Sequence, residues 1–232
     1  MTATKLRRAA VILIVSVSVV VAGGLPAAAA PRTDNHDVVA AAGPTPPLTS
    51  DTDVATRFER AHGRKVKADA VATATSDCDS CTASATTVQV IYLGKAKTAS
   101  LHNVSTAWAS CGGCRATSVS VQLIVARSST SLTARNDALA VNVNCSSCAT
   151  AAAAYQLIVV TDNKDHTLSA RGRAQLKALA LELAAQLQPA SKSKAAARVA
   201  QAERLGGPRM DALIKQELQP KSVRRHLITT TG

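Results

Sequence analysis

Three CxxC motifs recur at a nearly fixed spacing, and this spacing limits the possible folds more than any other feature. Their first cysteines, Cys78, Cys111 and Cys145, are 33 and 34 residues apart in a chain of 232 residues. Each motif follows a segment of small and β-branched residues and precedes an apolar run. A glutamine occupies the same place in all three runs: Gln89, Gln122 and Gln156. Such a period is typical of stacked supersecondary units, so we expect a repeat core over residues 55–163.

The apolar runs at residues 88–93, 121–126 and 155–160 predict strands, because they are short, rich in β-branched residues and bounded by turn signals. The segments before each CxxC are ambiguous. Their alanine content favours helix, whereas alternation such as that of Leu139 and Val141 favours strand. The preferred fold class is α+β, with three CxxC-tipped β-hairpins of about 33 residues each. The alternative is an α/β fold of βα repeats with a parallel sheet.

Beyond the third repeat the apolar period changes to that of a helix. Leu176, Leu179, Leu183 and Leu187 predict an amphipathic helix over residues 170–187 that packs on the core. Weaker patterns indicate two shorter helices at residues 194–204 and 210–218, separated by Gly206-Gly207-Pro208. We expect a helical region at residues 164–219 and a basic disordered tail at residues 220–232.

The N-terminus has the layout of a secretory signal. Three basic residues precede an apolar run, and an Ala-rich segment follows it, which predicts a signal peptide over residues 1–29 that is cleaved after Ala29. The alternative is an uncleaved membrane anchor, and Arg7-Arg8 leaves a twin-arginine route open. Residues 30–54 are rich in proline and predict a disordered linker, followed by a short helix at residues 53–67.

Positive charge is unevenly distributed along the chain. The formal net charge is +12, but residues 75–163 carry a net charge of only +1 and residues 164–232 carry +8. Aromatic residues make up 2% of the chain, so the aromatic stacking surfaces of nucleic-acid-binding proteins are not expected. We predict no nucleic-acid partner. Electrostatic attraction of the C-terminal region to an anionic cell envelope is expected instead.

The candidate site residues are the six cysteines: Cys78, Cys81, Cys111, Cys114, Cys145 and Cys148. An exported chain with an even cysteine count favours disulfides. The hairpin interpretation favours pairing within each motif, because residues that flank a two-residue turn lie about 5.5 Å apart. Pairing between repeats stays open from the sequence.

Two other roles of the cysteines are weaker alternatives. A redox dithiol needs a helix N-terminus after its first cysteine, and strand-like runs follow here. Two CxxC pairs suit a four-thiolate zinc site, but a third pair is then left over.

The sequence contains no HExxH, GxSxG or phosphate-binding glycine loop, so we nominate no catalytic residue, cofactor or metal. The function predicted is a secreted, non-enzymatic, disulfide-stabilised repeat domain that binds an unknown protein or envelope component or has a structural role there. The alternative is an extracytoplasmic thiol-redox or metal-binding protein.

The repeats resemble a family of uncharacterised exported actinobacterial proteins with N-x-A-x-A-x-N-x-x-C-x-x-C units. The third unit carries the resemblance best, with Asn136, Ala138, Ala140, Asn142, Cys145, Cys148, Ala154 and Gln156. The second unit departs from the pattern, with His102, Val104, Thr106 and Trp108 at the Asn and Ala positions. The resemblance covers residues 69–187 and implies export and a repeat architecture. Some members carry a peptide zinc metalloprotease label, which does not transfer to a chain without the HExxH motif.

Overall fold

The computed structural model describes residues 33–162, 166–188 and 192–232. Ten strands and two helices are assigned within these ranges. The strands are β1 (Asp34–Asn35), β2 (Val38–Ala42), β3 (Ser50–Arg60), β4 (Lys65–Ser76), β5 (Thr82–Tyr92), β6 (Thr98–Ala109), β7 (Arg115–Ala126), β8 (Ser131–Asn142), β9 (Ala149–Val160) and β10 (Ser222–Thr231). The helices are α1 (Ala170–Leu187) and α2 (Lys192–Leu218). The predicted signal peptide lies outside the described residues.

The chain winds into a β-solenoid of four coils. Each coil contributes a strand to each of two sheets. The open sheet contains β1, β2, β4, β6 and β8, and the covered sheet contains β3, β5, β7, β9 and β10. Strands of successive coils pair in parallel, and among the described strands only β10 is antiparallel to its neighbour, β9. The register places Gln89 beside Gln122 and Gln122 beside Gln156. The period of about 33 residues in the sequence is therefore one turn of the solenoid.

The predicted fold class is confirmed as β-rich α+β, with the CxxC motifs at strand tips and helices at the C-terminal side. The segments before each motif are strands, as preferred. The two strands that flank a motif do not bond to each other as a hairpin would, because they belong to different sheets. The physical reason is that equivalent strands of successive repeats can pair in parallel register. The sequence around a turn does not distinguish this parallel pairing between repeats from hairpin pairing within one repeat.

The interior between the sheets changes character along the strands. Near the CxxC turns it is filled by alanines, including Ala74, Ala85 and Ala107. At the opposite end of the strands it is filled by larger residues, including Ile91 and Leu101. A band of buried Ser, Thr, Asn and Gln side chains separates the two apolar parts. Small residues thus let the sheets approach closely beside the cysteines.

A second apolar layer lies between the covered sheet and the helices. The outward side chains of β5, β7 and β9, such as Val121 and Tyr155, form one cluster with α1 and α2. Helix α1 matches the predicted range and buries Leu176, Leu183 and Leu187 there. Ser169 caps it, because its Oγ accepts a hydrogen bond of 2.9 Å from the amide of Gly172. The leucine stripe therefore covers the sheet as expected.

Helix α2 is longer than the two helices predicted in its place. It is continuous from Lys192 to Leu218 and includes Pro208. A Cβ atom on Gly206 would lie 2.4 Å from the Cδ2 atom of Leu183, so a glycine is needed where α2 crosses α1. The Gly-Gly-Pro sequence is thus a packing feature of the helix pair, and the prediction that it ends a helix is wrong.

Three predictions for the flanking segments are also wrong. The range 30–54 was expected to be a disordered linker, yet from residue 33 it contains β1, β2 and the start of β3, because Val38 and Ala40 are buried where β2 pairs with β4. The short helix expected at residues 53–67 is replaced by β3 and β4. The expected basic disordered tail at residues 220–232 contains β10, whose Val223 and Leu227 pack against the helix layer.

Candidate functional site

Each CxxC motif forms a tight turn between the open and the covered sheet. In the first turn the amide of Cys81 donates a hydrogen bond of 3.0 Å to the carbonyl of Cys78. The residue before the second cysteine has a left-handed backbone in all three turns, with φ of 60° at Ser80, 69° at Gly113 and 60° at Ser147. Only glycine adopts this conformation without strain. Turn residues in the motifs thus have the conformational role that the sequence indicated.

The three turns stack into a continuous structure, which we name the CxxC column (residues 78–81, 111–114 and 145–148). The amide of Ser80 donates to the carbonyl of Gly112 at 2.7 Å, and the amide of Gly113 donates to that of Ser146 at 2.8 Å. The Asp79 carboxylate adds a third link, because its Oδ1 accepts from the amide of Gly112 at 2.8 Å. Backbone hydrogen bonds therefore hold the column together independently of the sulfur atoms.

The structure brings all six predicted site residues into the CxxC column. Each pair lies at disulfide distance within its own motif, and the Cα atoms are 5.4, 5.7 and 5.8 Å apart in the three motifs. Pairing between repeats, which the sequence left open, is not observed. The second cysteine of every motif is buried: Cys81, Cys114 and Cys148. These disulfides therefore lie against the alanine-filled part of the interior.

Sulfur atoms of neighbouring turns approach each other closely at one end of the column. The Sγ atoms of Cys114, Cys145 and Cys148 lie within 4.8 Å of one another. The Sγ atoms of Cys145 and Cys148 also lie 2.7 and 2.6 Å from the carbonyl oxygen of Cys111. With all three as thiolates, this cluster would supply three soft ligands, which suit zinc or monovalent copper.

A charged cluster in the first coil was missed by the sequence interpretation. His36 is nearly buried, and its Nε2 lies 3.0 Å from an Asp34 carboxylate oxygen, while its Nδ1 contacts Glu59. Burial by itself would lower the pKa of His36, but its hydrogen bonds to Glu59 and Asp34 outweigh burial and raise this pKa. No local pattern indicates this cluster, because His36 and Glu59 are far apart along the chain.

The two carboxylates of this cluster favour their ionised forms. Backbone amides of Gly63 and His62 and the imidazole of His36 lower the pKa of Asp34 to about 2. Burial acts to raise the pKa of Glu59, but Arg57 and His36 more than compensate and lower it. The Arg57 guanidinium also donates to the carbonyl of Asp37 at 2.6 Å. The cluster therefore links β1 and the residues between β1 and β2 to β3 through charged hydrogen bonds.

The outer face of the open sheet carries ion pairs, such as Lys67 with Asp69 and Arg135 with Asp137, and several apolar side chains. Parallel register aligns Val39, Val71 and Val104 in one row across the strands. Val39, Trp108 and Leu139 are exposed on this face. No helix among the described residues packs on it, whereas both helices pack on the covered sheet.

Comparison with protein-family models, curated proteins and solved structures finds no match to this chain. The resemblance to exported actinobacterial repeat proteins therefore stays a prediction. Neither helix among the described residues is long and apolar enough to cross a membrane.

Proposed function

We propose that this protein is an exported, non-enzymatic solenoid that acts as a binding or structural module of the cell envelope. The observation that carries this proposal is the difference between its two sheets. One sheet is covered by helices, while the other presents an open surface of regularly spaced side chains on a parallel β framework. Stacked repeats commonly use such extended surfaces for binding.

The distribution of charge supports a location at an anionic surface. The helices that cover one sheet carry exposed basic residues, including Arg171, Lys177 and Arg204. Lys and Arg near an anionic surface attract it over about one Debye length, roughly 8 Å at physiological ionic strength. In this proposal the basic helices face the envelope, and the open sheet faces away from it.

The paired cysteines support export, because disulfides persist in oxidising compartments. The test is expression of the full chain in a bacterial host with a single cell membrane, followed by separation into cytoplasm, envelope and medium. We expect a mature chain that begins at Ala30 in the envelope fraction, with six cysteines that react with iodoacetamide only after reduction. A full-length cytoplasmic chain with six reactive thiols would contradict the proposal.

The sulfur cluster of Cys114, Cys145 and Cys148 favours a second candidate, a metal-binding protein. The reduced protein would be titrated with zinc or with monovalent copper under anaerobic conditions. Tight binding of one ion per chain, lost in Cys145→Ser and retained in Cys78→Ser, would support this function. The Cys78→Ser variant is the matched control, since Cys78 lies outside the cluster. Binding that is equal in both variants would exclude the cluster as the site.

A further inference from the structure

The two ends of the solenoid are built differently. At the N-terminal end, β3 places charged side chains where later coils have small or neutral ones. The register aligns Asp51 with Ala83, Asp53 with Ala85 and Glu59 with Ile91. Asp53 and Asp51 accept hydrogen bonds of 2.7 Å from the amides of Ala41 in β2 and of Gly43 just after it. Inward charges and occupied edge amides are the usual protection of a sheet end against further pairing.

The C-terminal end has this protection on only one sheet. In the covered sheet, β10 pairs along β9 over ten residues in antiparallel orientation. In the open sheet, β8 is the last strand, and the pairing partner assigned to it is β6. Strand β10 also approaches β8 from across the interior: Asn136 donates a hydrogen bond of 3.0 Å to the carbonyl of His226, and a Cβ atom on Gly232 would lie near the backbone of Ala140 and Asn142. No strand among the described residues pairs with the outer edge of β8, and its side chains over residues 131–139 are exposed or half-buried.

Apolar interior positions are uncovered beside this edge. Ala134 is exposed, although its register mates Leu101 and Ala68 in the preceding coils are fully buried. Across the interior, Ile228 of β10 is 41% exposed. A fifth coil would cover these positions. The end of the interior therefore has room for one more strand beside β8.

The cleft at this end has a volume of about 430 Å³ and a basic lining. Its walls come from β8, β9, β10 and the turn before β8, and they include Leu132, Ala134 and Ile158. Arg127, Arg224 and His226 also line it, and no acidic residue is among the described residues that do so. The charge of the cleft therefore complements an acidic ligand.

We propose that the β8 edge and this cleft bind an extended acidic segment of a partner protein, which adds a strand to the open sheet. This inference rests on the proposed function as a binding module and names the chemistry of its partner. Main-chain hydrogen bonds to residues 131–139 supply affinity in such strand addition, and alternate side chains supply specificity. Acidic side chains of the segment pair with Arg127 and Arg224, and small apolar ones cover Ala134 and Ile228.

The probe is a fluorescein-labelled peptide of five Glu-Val repeats, and its binding to the full chain is followed by fluorescence anisotropy. We expect saturable binding that weakens as salt is added, because exposed charges are screened. A Lys-Val peptide of equal length and a Glu-Val peptide with a central proline should each bind at least tenfold more weakly. Equal binding of the acidic and basic peptides would overturn the proposal.

Charge reversal locates the site. The double variant Arg127→Glu, Arg224→Glu should weaken binding of the acidic peptide by at least tenfold. The matched control is Arg171→Glu, Arg204→Glu, which reverses two exposed charges on the helices and should leave binding within twofold. Ala134→Glu tests the cleft itself, and since this side chain is exposed the fold should tolerate the change. Equal losses in all variants would overturn the assignment.

Hydrogen exchange followed by mass spectrometry tests strand addition. The peptide should slow amide exchange in residues 131–139 and leave β3 unchanged. Peptide binding that slows exchange elsewhere and not in β8 would overturn the proposal. So would a dimer in analytical ultracentrifugation whose β8 is protected without peptide, because the edge would then bind a second copy of this chain. A chain that is found in the envelope and does not bind the peptide would overturn this inference alone. A cytoplasmic chain that binds the peptide would overturn the proposed function alone.

Discussion

The non-glycine residues with a left-handed backbone in the CxxC turns are the positions at which a single substitution by glycine should increase the stability of the protein. Ser147 has φ of 60° and is exposed, so the strain of its backbone is not offset by buried contacts of its side chain. A left-handed conformation costs a non-glycine residue about 1–2 kcal/mol, and part of this gain is lost to the greater freedom of glycine in the unfolded chain. We expect Ser147→Gly to stabilise the protein by about 0.5–1 kcal/mol.

Thermal unfolding of the oxidised protein measures this gain. The control is Ser146→Gly in the same turn, where φ is not in the left-handed region. Its unfolding midpoint should stay equal to that of the unsubstituted protein or fall, since glycine there adds only unfolded-state freedom. A rise of the midpoint in the control equal to that of Ser147→Gly would contradict the strain argument.

The contribution of the His36 cluster to stability should be largest in an intermediate pH range and should fall at both lower and higher pH. Its pKa is raised above 6.5, so its contribution to stability is complete below pH 6.5 and is lost as pH rises through the folded-state pKa. The pKa values of Asp34 and Glu59 are lowered from 3.8 and 4.5, so their contributions are complete above about pH 4.5 and are lost in acid. All three contribute between about pH 4.5 and 6.5.

The measurement is the difference in unfolding midpoint between the unsubstituted protein and His36→Gln, taken at several pH values. The difference should be largest between about pH 4.5 and 6.5 and should shrink both at pH 3 and at pH 9. His226→Gln is the control, because this side chain is exposed on β10. A difference that is constant across this range would show that His36 acts only through packing.

At the scale of elements, buried amide side chains tie the coils together. The Nε2 of Gln122 donates to the Oε1 of Gln89 at 2.7 Å, and the Oε1 of Gln122 accepts from the Nε2 of Gln156 at 2.8 Å. The Nε2 of Gln122 also lies 3.0 and 3.2 Å from the carbonyl oxygens of Ala68 and His102, so its two hydrogens are shared among three acceptors and join both sheets. A buried amide with this many partners fixes the register of the coils, since a shift by one residue would leave it unpaired.

Gln122→Leu should therefore destabilise the protein by about 2–4 kcal/mol, because buried acceptors lose their donor. This corresponds to a fall of roughly 5–15 °C in the unfolding midpoint. The control Gln175→Leu, at an exposed position of α1, should change the midpoint by no more than about 2 °C. Equal effects of the two substitutions would contradict the structural role of the amide ladder.

The elements that the sequence predicted correctly are those whose pattern repeats or runs long. The strands after each CxxC have repeated apolar runs that are buried on both faces, and helix α1 has a periodic leucine stripe that is also buried. The strands β1, β2, β3 and β10 lack the motif, since they belong to the ends of the solenoid, where proline and charged residues replace the repeat pattern. Parallel pairing of the coils also escaped prediction, because it depends on which repeats stack and not on any local segment.

At the scale of the whole molecule, the six candidate cysteines lie together, but the sequence did not predict how they stack. The sequence identified all six cysteines, and the structure places them in the CxxC column. The charged cluster around His36 and the cleft beside β8 depend on contacts between residues distant in the chain. No local pattern contains that information, because it arises from the stacking of coils.

Reduction of all three disulfides should leave the solenoid folded but less stable. Each bond closes a loop within one motif, and the chain-entropy relation gives about 2 kcal/mol for so short a loop. The total of about 6 kcal/mol corresponds to a fall of roughly 10–20 °C in the unfolding midpoint. The column should persist, because the amides of Ser80 and Gly113 donate to the next turn whether or not the sulfur atoms are bonded.

Circular dichroism with and without reductant, followed through thermal unfolding, measures both parts of this expectation. The variant Cys78→Ser, Cys81→Ser removes one disulfide and should show about a third of the full loss while oxidised. Unfolding of the reduced protein at room temperature would mean that the disulfides, and not the backbone hydrogen bonds, define the column. An unchanged midpoint would mean that the three bonds contribute nothing to stability. The loss expected here lies between these limits because short loops constrain the unfolded chain only modestly.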